Sequence, residues 1–114
     1  MPHYQAPLRD IDFVMHELLQ LERHYADIPA YAETDRESMA RILELAAEFS
    51  AHELAPLNRS GDEEGCRLHG GVVVTPQGFR EAYARYVAVG LGALAEPVAW
   101  GGHGLPPSLA VARN

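Results

Sequence analysis

Thr34-Asp35-Arg36-Glu37-Ser38-Met39-Ala40-Arg41-Ile42-Leu43-Glu44-Leu45-Ala46-Ala47-Glu48-Phe49-Ser50-Ala51-His52-Glu53-Leu54 is the stretch that decides the fold. Its first four residues match a capping box, in which the Thr34 hydroxyl accepts from the Glu37 amide and the Glu37 carboxylate returns to the Thr34 amide. Behind this cap, Met39, Ile42, Leu43, Ala46 and Phe49 recur on one helical face. The spacing predicts a helix to about Leu54, ended by Pro56. A helix with one apolar stripe must bury it against other elements, and the flanking sequence supplies further helices.

Upstream, Pro2 and Pro7 suggest an extended arm over the first nine residues, and Asp10 serves as the N-cap of a helix. Ile11, Val14, Met15, Leu18 and Leu19 carry that helix to about Tyr25, where Asp27-Ile28-Pro29 breaks it. Downstream, Asn58-Arg59-Ser60-Gly61-Asp62-Glu63-Glu64-Gly65 reads as a polar loop. Val72-Val73-Val74, after Gly70-Gly71, suits a short extended segment or hairpin arm. Thr75-Pro76 then opens a third helix with Phe79, Ala82, Tyr83, Tyr86 and Val87 on its apolar side and Gly90 at its C′ position. Leu91 to Val98 holds a short helical turn, and Pro106-Pro107-Ser108 starts a last helix that reaches the final residue after two turns. The expected fold is all-α: a partial helical bundle of three main helices plus a truncated C-terminal one. The short last helix, with Leu109, Val111 and Ala112 beginning an apolar surface, reads as the interrupted start of something larger.

Among 114 residues, 47% are apolar and the net charge is −7, with nine basic residues that are all arginine. One small domain with a modest core fits that length. An acidic chain without a basic cluster is a poor match for nucleic acid or for an anionic membrane surface. The single cysteine, Cys66, excludes an internal disulfide framework. Neither a secretory leader nor a membrane-spanning apolar run is evident, which makes the cytoplasm the expected compartment.

Few residues suggest chemistry. Asp12 with His16, and Glu48 with His52, sit at i,i+4, the spacing that dinuclear bundle sites use. Both pairs lie away from the apolar stripes, so solvated helix faces account for them better than metal binding. Asp62, Glu63 and Glu64 lack the alternating ligand spacing of a calcium loop and read as a solvated turn. Cys66 has Arg67 and His69 nearby but no evident base. Gly101-Gly102-His103-Gly104 before a helix has neither the strand and acidic partner of a dinucleotide fingerprint nor the lysine of a P-loop, and reads as a structural turn. No catalytic, cofactor-binding or metal residue is assigned.

Several segments together resemble the N-terminal region of the FAD-dependent acyl-CoA dehydrogenase family, in the branch with a short N-terminal extension. Tyr4 to Val14 resembles that extension. Leu54-Ala55-Pro56-Leu57-Asn58-Arg59-Ser60-Gly61-Asp62-Glu63-Glu64-Gly65-Cys66 is the most distinctive match, followed by Gly71 to Tyr83 and by Gly101-Gly102-His103-Gly104-Leu105-Pro106. Trp100 stands where a tyrosine or phenylalanine is commoner. The resemblance implies an extended arm over residues 1–9 and a helical N-terminal domain over 10–114. It also implies FAD and acyl-CoA in the full-length enzyme, with the remaining dehydrogenase domains as partners. In this branch a middle β-domain and a C-terminal helical domain hold most of the flavin, and the catalytic glutamate lies in the latter. No such residue carries over, so this segment is expected to be inactive and flavin-free by itself, and the Pro106-to-Asn114 helix to help wall the acyl pocket. The competing readings are a non-enzymatic helical interaction module, dimeric through its apolar faces, and a small dinuclear metal bundle.

Overall fold

The computed structural model describes residues 3–114; Met1 and Pro2, and with them part of the expected arm, lie outside the described residues. Helix α1 (Leu8–Asp12) is the first element, starting three residues before the expected Ile11 and capped by Pro7 rather than by Asp10. It continues as a π-helical turn over Phe13–Leu18. The helix anticipated to run unbroken to Tyr25 is interrupted at Gln20, which takes a left-handed conformation with φ 50°, and α2 (Leu21–Ala26) follows. The spacing of Leu18, Leu19 and Leu21 gives no sign of that break. A 3₁₀ turn at Pro29–Tyr31 leads to the next helix.

Helix α3 (Arg36–Phe49) matches the deciding stretch, with its cap shifted by one residue. Asp35, not Thr34, is the N-cap, and its carboxylate accepts from the Ser38 amide at 2.7 Å. The adjacent carboxylate offers a charged acceptor at the positive end of the helix, which a threonine hydroxyl cannot match. Hydrogen bonding to the Ser38 backbone amide also holds the Asp35 carboxyl below the usual aspartate value.

Pro56 does not end this helix. The chain passes through a π-helical segment, Ser50–Leu54, and re-enters α-helix as α4 (Ala55–Glu64) with the proline in its first turn. A proline lacks an N–H and crowds the carbonyl of the preceding turn, and the wider π turn is where that mismatch is absorbed. Asn58 to Glu64, expected as a loop, is therefore helical.

Gly65 leaves α4, and a two-stranded antiparallel hairpin follows, β1 (Arg67–His69) and β2 (Val72–Val74), turning at Gly70-Gly71 with Leu68 opposite Val73. This bears out the hairpin reading of the valines. Glu64 secures its base, bonding Arg67 at 3.1 Å and accepting from the Gln77 amide at 3.0 Å. Helix α5 (Phe79–Ala88) begins behind Gly78 rather than at Pro76, and Gly90 lies at its C′ position with φ 82°, as expected. Two 3₁₀ turns, Leu91–Ala93 and Val98–Trp100, precede α6 (Pro107–Arg113). The whole is mostly helical, as the sequence implied.

Two apolar clusters hold these elements. Met15, Tyr25, Met39, Leu43 and Leu109 form one, where α6 is inserted between the N-terminal helices and α3. Leu109, expected to lie on an uncompleted surface, is instead fully buried there. Ala46, Phe49 and Leu91 form the other, with the Phe49 and Tyr86 rings 5.8 Å apart. The body measures 53 × 37 × 18 Å. Packed helices with axes about 8–10 Å apart span about 13–15 Å in their Cα atoms, so the thin dimension holds at most two layers, and Phe13, Tyr83 and Trp100 are among the large apolar side chains left exposed. Among the described residues no helix is long and apolar enough to cross a membrane.

Candidate functional site

An apolar groove of about 470 Å³ lies between the α3–α4 rod and α5, closed at one end by α6. Phe49, Leu54 and Leu57 form its floor, and Phe79, Ala82 and Tyr86 form the facing wall. Two devices hold α5 over the floor. Arg85 donates to Glu53 at 2.6 Å, tying the middle of α5 to the π segment. Gly78 lets the start of α5 lie against Leu57, where a Cβ would stand 2.8 Å from Cδ2. Arg113 sits at the closed end, donating to the Leu91 carbonyl and to Asn114, so its charge is fixed at the rim. Arg113 and Asn58, with Ser50 and Asn114, are polar residues at this groove that sequence reading did not bring together, since nothing in their spacing points there.

The lining can hold hydrocarbon or apolar side chains, but it pairs no acid with a base and presents no activated nucleophile. Cys66 lies outside it, exposed at the start of the hairpin. The glycine turn offers no open cradle for a diphosphate. Such a cradle needs free backbone amides, and in the glycine turn these are consumed internally. Gly102 donates to Pro97, His103 to Ala93, Gly104 to Glu96 and Leu105 to Leu94, all within 3.0 Å.

The other acidic and histidine residues singled out by their spacing do not converge on one site. Glu48 and His52 stay on an exposed face, with His52 Nδ1 3.0 Å from the Glu48 carbonyl. Asp62, Glu63 and Glu64 lie on the last turn of α4 rather than in a loop, and Glu63 pairs with Arg59 at 2.8 Å. His16 is the correction: far from a solvated face, its side chain is only 2% exposed. The break at Gln20 folds α2 back over it, which places its Nδ1 3.0 Å from Glu22 Oε2 and its Nε2 3.8 Å from Asp12 Oδ1. Arg36 of α3 joins the cluster, bonding Asp12 at 2.6 Å and Glu17 at 3.2 Å. The Arg36 hydrogen bond and charge hold the Asp12 carboxyl below its usual value despite partial desolvation. Burial pushes Glu22 up, but its own backbone amide and the nearby His16 and Arg36 outweigh it and leave Glu22 below its usual value. Among the described residues no group of three or more histidine, cysteine or acidic side chains could hold a metal ion.

No family model matches the chain. A similar protein is the 3-methylmercaptopropionyl-CoA dehydrogenase of Ruegeria pomeroyi, 40% identical over 103 residues. That alignment takes in 90% of this chain and only 17% of the relative, so the chain spans about a sixth of the length of the enzyme it matches. The similarity is too long and too high for shared helix periodicity alone. The chain is thus related by sequence to an acyl-CoA dehydrogenase, through a segment that makes up a small part of that enzyme.

Proposed function

We propose that these residues are an N-terminal arm, ending where α1 begins at Leu8 rather than at the expected residue 9, and the helical N-terminal domain of a cytoplasmic FAD-dependent enzyme of the acyl-CoA dehydrogenase type. Its reaction would be α,β-desaturation of an acyl-CoA thioester, with hydride passing to the flavin. The observation that carries this reading is the 40% identity extending over nine-tenths of the chain. The open apolar groove agrees with it, because such a surface suits packing by further domains or by an acyl chain. The flavin supplies hydride acceptance when it is bound elsewhere in the enzyme. This segment contributes wall and scaffold, with neither flavin cradle nor base, and is inactive by itself.

Two measurements test the proposal. A chimera in which this chain replaces the aligned segment of the Ruegeria enzyme should load flavin and show acyl-CoA-dependent bleaching of flavin absorbance. A folded, flavin-loaded chimera that cannot be bleached would overturn the assignment. The isolated chain mixed with FAD and an acyl-CoA should give no bleaching, and stoichiometric flavin with turnover would overturn its inactivity. A defined dimer of the isolated chain, seen by light scattering, together with failure of the chimera, would favour an interaction module instead.

A further inference from the structure

We propose that His16 is a proton-operated latch across the break at Gln20, closing α2 onto α1 and α3 when its imidazole is protonated. The inference stands on placement. His16 is a buried imidazole at a helix interruption, in contact with Asp12 and Glu22, and Asp12 joins it to Arg36 and through Arg36 to Glu17. Asp12 belongs to α1, Glu17 to the π turn, Glu22 to α2 and Arg36 to α3. With a neutral imidazole these groups carry three negative charges against one positive. Protonation brings the cluster closer to balance where water cannot screen it fully.

The two ring nitrogens do different work. Nδ1 lies 3.0 Å from Glu22 Oε2, yet the two atoms do not reach hydrogen-bond geometry and neither has another partner. In the neutral ring only one nitrogen carries a proton, so one carboxylate always faces a lone pair. Taking a proton from solvent makes the ring a cation 3.0 Å from a carboxylate oxygen of Glu22 on α2 and 3.8 Å from one of Asp12 on α1, an ion-pair link between the two elements. Asp12 is already anchored to α3 by Arg36, so the second link transmits to the rest of the body. The device has a two-state element to act on, because Gln20 is the one non-glycine residue with positive φ among the described residues. A left-handed glutamine is held by its surroundings rather than by its own preference, and releasing the latch leaves that conformation less supported. Imidazole changes charge between about pH 5 and 8, and both carboxylates stay ionised through that window because they are held below their usual values.

Amide hydrogen exchange on the chain tests this, read as protection in Leu21–Ala26 relative to α3 and corrected for intrinsic rates, with the His16 ring followed by NMR. Relative protection of α2 should fall about threefold as pH rises through the His16 titration, the effect of losing one ion-pair link. The two midpoints should coincide. His16→Gln, and separately Glu22→Gln, should flatten the profile, whereas His24→Gln, on the exposed side of α2, should leave it unchanged. A flat wild-type profile, a midpoint unlike that of His16, or an unaltered profile in a folded His16→Gln or Glu22→Gln variant would overturn the latch.

Discussion

The carbonyl of Glu96 occupies the space where any side chain at Gly102 would begin, and the Gly104 amide donates to the same oxygen at 2.9 Å. Because the obstruction is backbone, no rotamer change can relieve it. Gly102→Ala should therefore cost about 3 kcal/mol, the upper part of the range for overpacking. Urea denaturation checks this, and a loss under about 0.5 kcal/mol would refute the close approach.

Leu109 and Val111 sit two residues apart on α6 with opposite fates, the first fully buried and the second 73% exposed. Leu109→Ala should cost about 3 kcal/mol through lost burial and a residual cavity. Val111→Ala should change stability by less than about 0.5 kcal/mol. Thermal melts of the two variants separate these outcomes.

Acid should destabilise the fold through its carboxylates. Asp12, Glu22 and Asp35 all have folded-state values held below their ordinary ones. A depressed folded pKa stabilises above the unfolded value, and that contribution is lost as pH falls through the folded one. Melting temperature should thus decline from the ordinary carboxylate range, about pH 4, downward. Arg36→Gln removes the bond that holds Asp12 down and should flatten part of that decline.

Met39 and Phe49 belong to different clusters on the same helix, ten residues apart. At 1.5 Å per residue that is about 15 Å, beyond the reach of direct coupling. Met39→Ala and Phe49→Ala should each cost about 3 kcal/mol, and the double variant should equal their sum within about 0.5 kcal/mol. A larger departure in denaturant titration would mean that the two clusters are one.

Much of this architecture was legible because its signals are local. Met39, Leu43, Ala46 and Phe49 mark the buried face of α3, and Gly70-Gly71 before three valines marks a hairpin turn. What escaped reading depends on geometry beyond the local window. Pro56 stops an ordinary helix, but a π turn five residues long lets the rod continue through it. Nothing in Leu18-Leu19-Gln20-Leu21 announces a break, so the burial of His16 could not be anticipated from a straight helical wheel. The groove likewise joins Phe49 to Phe79 across thirty positions of sequence, with only their hydrophobicity to connect them.

An 18 Å slab cannot surround a molecule. Whatever settles into the groove keeps one side uncovered, so under the proposed reading its shape would be measured jointly by these residues and by the domain packed against them. Discrimination among occupants is then a shared property, so substitutions along Phe49, Leu57 or Tyr86 would shift preference in degree, while the opposing surface sets the limits of size.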